Sequence, residues 1–163
     1  MTRRLAIMAV AGTLVLAVSG GRLAAQPGVY GTLAGTWVMD SATGPDDHGL
    51  PKSETLVFSP LGPALRIVAT TDAGKGPEKS AFACTTNGAV APAGGDASRR
   101  CTAHPYADSV VYAVDVLQRG KVLAGERGRL VVSAGGNMLR DEYDATSGTG
   151  PSTHHRHLYT KQQ

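Results

Sequence analysis

Residues 109–118 read Ser-Val-Val-Tyr-Ala-Val-Asp-Val-Leu-Gln, and this alternation sets the class of fold. Successive side chains of an extended strand point to opposite faces, so a period of two in hydropathy indicates a strand with one buried face. The apolar face carries Val110, Tyr112, Val114 and Val116, and the other face carries Ser109, Ala113 and Asp115. The run therefore predicts a β-strand whose valine-rich face packs against a core.

Similar short runs extend toward both ends of the chain, separated by turn residues. The predicted strands span 35–40, 53–58, 64–71, 79–85, 109–118, 121–133, 138–145 and 152–161. Gly125 and Gly128 interrupt the sixth of these, where we expect a bulge or a sharp bend. No amphipathic stretch is long enough to predict a helix. About eight strands joined by short turns predict antiparallel, up-and-down order, and closing such a sheet into a barrel removes its exposed edges.

The first 25 residues predict an export signal. Arg3 and Arg4 supply a positively charged start, residues 5–18 are mostly apolar, and small residues precede Gln26. Because the apolar run is short for a membrane span, we expect cleavage and no stable membrane insertion afterwards; an uncleaved anchor is the alternative. The chain then divides into a signal peptide, 1–25, and one barrel domain, 26–163, placed in the periplasm or outside the cell.

Loss of the signal also removes the positive charge of the chain. Arg3, Arg4 and Arg22 leave with it, so the formal net charge falls from +3 to about zero. The remaining lysines and arginines are scattered and are not interleaved with stacking aromatic residues. We therefore expect no nucleic-acid partner.

Cys84 and Cys101 are the two cysteines of the sequence. An oxidising compartment favours a disulfide between them, and two buried free thiols are the alternative. The intervening residues 85–100 are rich in Gly, Ala and Pro, which have little strand propensity. We expect a loop in this segment, tethered by the disulfide.

Several short motifs, in order along the mature chain, resemble those of lipocalin and calycin barrels. Residues 33–37 read Leu-Ala-Gly-Thr-Trp, with the glycine-x-tryptophan start of those barrels at Gly35 and Trp37. Further matching segments lie at 51–55, 107–110, 120–122 and 159–161. The chain is similar to small secreted lipocalin-like bacterial proteins of uncharacterised role. The resemblance implies an all-β, lipocalin-like barrel with a ligand site in its mouth.

The resemblance also gives Gly35 and Trp37 structural roles at the closed end of the barrel. A glycine lets the backbone enter tightly, and a large indole then fills the floor, often beneath an arginine guanidinium in the barrels it resembles. Arg156 or Arg140 could supply that cation here. Alternatively, Trp37 is simply the largest side chain of the core.

The last predicted strand is rich in histidine. Alternation places His155, His157 and Tyr159 on one face, so two imidazoles could converge on one metal ion. Two ligands do not make a site, and a third would come from His104, Asp141 or Glu142. His155 and His157 are therefore candidate metal ligands, and a solvated histidine strand is the alternative.

Asp141 shares a strand face with Leu139 and Tyr143. If that face is interior, Asp141 projects into the cavity, where burial would raise its pKa and let it orient a polar ligand or act as an acid or base. The alternative is an ion pair with a neighbour such as Arg129. The candidate ligand-binding residues on inward faces are Tyr112, Asp141, Tyr143 and Tyr159.

The sequence contains no motif that indicates a particular chemical reaction. It has no Gly-x-Ser-x-Gly and no glycine-rich loop that opens a helix, so we predict no catalytic residue and no cofactor. The leading hypothesis is non-catalytic binding of a small, largely apolar molecule. The alternatives are an envelope protein with a filled barrel, structural or binding an unknown protein partner, and a small barrel enzyme that uses Asp141 with a histidine.

Overall fold

Ten β-strands and one short helix make up the part of the chain that the computed structural model describes, residues 29–45 and 50–163. The elements are α1 Val29–Leu33, β1 Gly35–Thr43, β2 Ser53–Leu61, β3 Ala64–Asp72, β4 Pro77–Cys84, β5 Val90–Gly94, β6 Ala97–Pro105, β7 Ser109–Gln118, β8 Lys121–Val132, β9 Met138–Ser147 and β10 Thr153–Lys161. The predicted export signal lies outside the described residues. No helix among those residues is long and apolar enough to cross a membrane.

The strands form one antiparallel sheet in the order β4-β3-β2-β1-β10-β9-β8-β7-β6-β5. Each strand except β4 pairs with the next along the chain, and β1 pairs with β10, so the sheet curls round into a nearly closed barrel whose edges are β4 and β5. The predicted all-β, up-and-down antiparallel barrel is confirmed. It has ten strands, against the eight that the sequence indicates.

The two extra strands, β5 and β6, form a hairpin within and just after the segment predicted as a loop. Their low intrinsic propensity is offset by pairing, because β6 hydrogen-bonds to the strongly apolar β7 along its whole length. On the outer face, the buried carboxylate of Asp115 in β7 accepts hydrogen bonds from Arg100 of β6 and Arg127 of β8. Tertiary contacts thus make a strand where local sequence does not.

The disulfide between Cys84 and Cys101 joins the end of β4 to the middle of β6, as predicted. Next to it, the amide of Thr85 donates to Cys101 O at 3.1 Å, and the amide of Ala103 donates to Thr85 O at 3.1 Å. β5 covers the first half of the same edge of β6. The covalent bond and this short bridge close the barrel between β4 and β6.

One end of the barrel is filled by α1 and Trp37. The helix contacts β2 and β7, which stand on opposite sides of the barrel, and the hydroxyl of Tyr30 donates to Ala103 O at 2.8 Å. The Trp37 side chain is completely buried, and its Nε1 donates to Leu33 O at 2.7 Å. The opposite end, where the β3–β4, β7–β8 and β9–β10 turns lie, forms the mouth.

The cation over the Trp37 ring is Lys161, whose Nζ lies 5.1 Å from the ring centroid. The sequence-based assignment of this cation to Arg156 or Arg140 is wrong, because both arginines lie on the outer face and approach Glu142 at 3.6 and 3.5 Å. Gly35 has a φ of +123°, and a Cβ there would lie 2.9 Å from Lys161 Cε. Glycine therefore fits both the backbone and the lysine that covers the indole.

The register irregularity of β8 lies at Leu123, between the pairs Val116–Ala124 and Leu117–Val122. The predicted bulge at Gly125 or Gly128 is therefore wrong, since both glycines pair regularly with β7 and β9. Gly128 instead makes room inside the barrel, because a Cβ there would lie 2.6 Å from Tyr143 Cβ and 2.7 Å from Tyr112 Cζ.

Candidate ligand cavity

The barrel encloses a cavity of about 530 Å³. Strands on both sides of the barrel contribute large apolar side chains to its lining, namely Leu56, Phe58, Ile67, Phe82, Val114 and Leu130. The ionisable side chains that line it are Glu54, Arg99, Glu126, Asp141 and His157, together with three tyrosines. The cavity therefore has an apolar lining interrupted by a concentrated polar wall.

A continuous hydrogen-bonded chain crosses this wall from β9 to β2. The Tyr159 hydroxyl donates to Glu54 Oε2 at 2.6 Å, and its oxygen lies 3.1 Å from His157 Nδ1. Because the hydroxyl proton of Tyr159 is given to Glu54, Nδ1 donates to Tyr159, and in the neutral imidazole Nε2 then accepts from Tyr143 at 3.3 Å. Every proton in this chain is directed toward Glu54.

Glu54 is the end point of that chain. Burial raises the pKa of its carboxyl group, but the His157 imidazole, whose Nδ1 lies 3.6 Å from Oε2, and the hydrogen bonds from Tyr159 and Thr71 outweigh burial, so the pKa lies below its ordinary value. Thr71 donates to Oε1 at 2.7 Å. Glu54 is therefore a carboxylate held ionised within the cavity wall.

Asp141 is a second carboxyl group of the cavity, with a different environment. It is 8% exposed, and both of its oxygens lie within 3.2 Å of the Tyr112 hydroxyl. Burial, followed by the charges of Glu126, Glu54 and Glu142, raises its pKa well above the ordinary value, against the hydrogen bond from Tyr112. The alternative ion pair with Arg129 is wrong, because Arg129 pairs in register with Glu142 on the outer face.

Glu126 and Arg99 complete the charged lining. The Glu126 side chain is solvent-exposed where it lines the cavity, and partial desolvation by the surrounding wall, with the nearby charge of Glu54, raises its pKa, while Arg99 lowers it. Within the described residues, the Glu126 carboxylate has no hydrogen bond or ion pair of its own. The Arg99 guanidinium lies 4.5 Å from the centroid of the Phe82 ring, in cation–π contact.

The histidine strand does not assemble a metal site in the described residues, where no group of three metal-ligating side chains comes together. His157 is buried in the hydrogen-bonded chain, whereas His155 stacks on the Tyr143 ring at 5.1 Å and its Nδ1 is buried without a partner. Of the proposed third ligands, Glu142 faces outward and His104 is exposed. The Tyr143 ring contacts both the His155 and the His157 imidazole and separates the two.

The four predicted ligand-binding residues, Tyr112, Asp141, Tyr143 and Tyr159, all line the cavity. Sequence reasoning missed Glu54, Arg99 and Glu126. Glu54 shares a strand face with two apolar residues, Leu56 and Phe58, and this alternation could have placed it inside. Arg99 lies in the segment taken as a loop, so no such signal existed for it.

Solved structures with the same fold include lipid-binding barrels. Apo lipid binding protein 8 of Caenorhabditis elegans matches with a TM-score of 0.53 and 14% identity, over 80% of this chain and 96% of that one. The fatty acid binding protein of Schistosoma mansoni in complex with arachidonic acid matches with a TM-score of 0.52 and 8% identity, over 83% and 100%. Rv2717c of Mycobacterium tuberculosis matches with a TM-score of 0.53 and 15% identity, over 81% and 94%.

No family model matches the chain, and no curated protein matches it in sequence. At these low identities, the likeness to solved structures shows the fold alone. That fold is a nearly closed, antiparallel up-and-down β-barrel.

Proposed function

We propose that the mature chain is an exported, non-catalytic carrier of a small, largely apolar molecule, held inside the barrel. The observation that carries this proposal is the cavity of about 530 Å³ with its mainly apolar lining. Cavities of this size and character are typical of small-molecule sites. An envelope protein with a filled interior would need side chains where this cavity lies.

Two further observations support the proposal. Two of the solved barrels with this fold are described as binding lipid or fatty acid. The polar wall contains hydrogen bonds among its own side chains, which is suited to holding a ligand in one orientation. Export is supported by the signal-like residues 1–25 and by the disulfide, since disulfides persist in oxidising compartments.

The test is a matched pair of alanine-to-tryptophan variants in adjacent strands. Ala69 of β3 lines the cavity, whereas Ala81 of β4 is exposed on the outer face. The mature protein is titrated with Nile red, a neutral dye that fluoresces in apolar surroundings. We expect saturable binding by the wild type and by Ala81→Trp, and at least tenfold weaker binding by Ala69→Trp because the indole fills the cavity. Equal binding by the two variants would contradict an interior site.

A further inference from the structure

We infer that the cavity selects an amphiphile whose polar end donates hydrogen bonds, a long-chain amine above all, over one that ends in a carboxylate. This inference rests on the proposed carrier function and names the class of ligand. It follows from two observations: carboxyl groups line the cavity as hydrogen-bond acceptors, and the tyrosine hydroxyls beside them already donate to other side chains or are paired with them.

The acceptors are three carboxyl groups from three different strands. Glu54 comes from β2, Glu126 from β8 and Asp141 from β9, and all three line the same cavity. Their mutual influence is electrostatic as well as spatial, since the charges of Glu54 and Glu126 both act on Asp141. An incoming carboxylate would add a fourth acidic group beside these three, and like charges at close range repel one another.

The tyrosine hydroxyls that could hold a carboxylate are already engaged. Tyr112 donates to Asp141, Tyr159 donates to Glu54, and Tyr143 is paired with His157. To bind a ligand carboxylate, one of these hydroxyls would have to leave an acceptor that is itself buried. Such an exchange leaves a buried acceptor without a partner, which is costly.

Arg99 is the cation of the lining, and its position limits what it can do. Its guanidinium lies against the Phe82 ring on the β4–β6 side, and its charge acts on Glu126. The lining holds three carboxyl groups against one guanidinium and the His157 imidazole, and that imidazole is already hydrogen-bonded to Tyr143 and Tyr159. A ligand ammonium placed beside Glu126 would supply both the missing charge and the missing hydrogen-bond donors.

The experiment compares three amphiphiles that share one chain: dodecylamine, dodecanol and dodecanoate. Each is used to displace Nile red from the mature protein at neutral pH, the amine and the acid below their critical micelle concentrations and the alcohol below its solubility limit. We expect the amine to displace the dye at a concentration about tenfold or more below that of the acid, with the alcohol between them. Tightest binding by dodecanoate would overturn the inference and leave the carrier function standing. Failure of the protein to bind dye or any of the three would remove the carrier function itself.

Two glutamate-to-glutamine variants make the test specific for the cavity wall. Glu126→Gln should weaken the amine about tenfold and leave the alcohol unchanged, because only the charge is lost. Glu142→Gln removes one negative charge from the outer face, where Glu142 lies beside Arg140 and Arg156. This variant should change the affinity for neither the amine nor the alcohol. Equal loss of amine binding in both variants would mean that overall net charge, and not the cavity wall, attracts the amine, which would overturn the inference.

Discussion

The surroundings of Asp141 disfavour the ionised form of its carboxyl group. Its carboxyl group is enclosed on β9, with the Tyr112 hydroxyl as its hydrogen-bond donor and with other acidic groups nearby. Without a cation to compensate, ionisation in such a site is unfavourable, which is why its pKa is raised. The raised pKa favours the protonated, uncharged form of this carboxyl group inside the barrel.

Asp141→Asn should stabilise the protein increasingly as pH rises. A carboxyl group with a raised pKa in the folded state contributes its full stability below the unfolded pKa and loses it as pH rises through the folded pKa. Asparagine keeps an oxygen for Tyr112 but cannot ionise. We expect little difference near pH 4 and a gain of about 1–3 kcal/mol in the free energy of unfolding at alkaline pH, the usual cost of a poorly compensated buried polar group. Urea unfolding across that pH range measures it.

The control for this prediction lies on the same strand. Asp144 faces outward and is paired with His154 at 2.9 Å, so Asp144→Asn should not become progressively more stabilising toward alkaline pH. A difference between wild type and Asp141→Asn that stays constant with pH would show that Asp141 titrates in the folded protein as it does in the unfolded chain.

At the scale of strands, one row of side chains positions the polar wall. Tyr112 of β7, Gly128 of β8 and Tyr143 of β9 are register neighbours on the inner face. The missing side chain at Gly128 lets the two rings approach over its backbone, and this brings the Tyr112 hydroxyl to Asp141. A glycine in a strand interior usually weakens the strand, so its presence here reflects close packing.

Gly128→Ala should therefore disturb both stability and binding. The added methyl group would lie under 3 Å from atoms of both tyrosines, which must shift. We expect a loss of about 1–3 kcal/mol in the free energy of unfolding, as for other overpacked cores, and weaker Nile red binding. Gly135→Ala, in the β8–β9 turn, meets only the end of the Asn137 side chain and should change neither quantity by a comparable amount. Equal effects of the two variants would contradict a packing role for Gly128.

The strands also show where sequence reasoning succeeds and where it ends. β7 is predicted with the bounds that the structure shows because Val110, Tyr112, Val114 and Val116 recur at every second position along it. β5 and β6 were missed because their Gly, Ala and Pro residues carry no such pattern. β6 becomes a strand through pairing with β7 and the ion pair between Arg100 and Asp115, and β5 then pairs with β6. The four inward residues of the later strands were identified by alternation alone. Their partner Glu54 is 105 positions from Tyr159, and no local pattern encodes that contact.

At the scale of the whole molecule, the ten-stranded sheet has two edges, β4 and β5, and the barrel must be held closed between them. Closure depends on a narrow contact, because among the described residues only Thr85 continues the pairing from β4 onto β6, while β5 pairs with the first half of that edge. Both cysteines beside it are completely or almost completely buried. The disulfide therefore holds β4 against β6 at the contact that closes the barrel around its cavity.

Replacing both cysteines by serine should open the barrel at this seam. The bond closes a loop with a sequence separation of 17, for which chain entropy gives about 3 kcal/mol of stabilisation. We expect that loss in urea unfolding. Amide hydrogen exchange should accelerate most in β4 and β6, because β8, β9 and β10 keep partners on both sides. A reductant should weaken the wild type similarly and leave the double variant unaffected. Uniform acceleration in all ten strands would mean that the bond stabilises the barrel through the unfolded chain alone, and that the hydrogen bonds at Thr85 suffice to keep the seam shut.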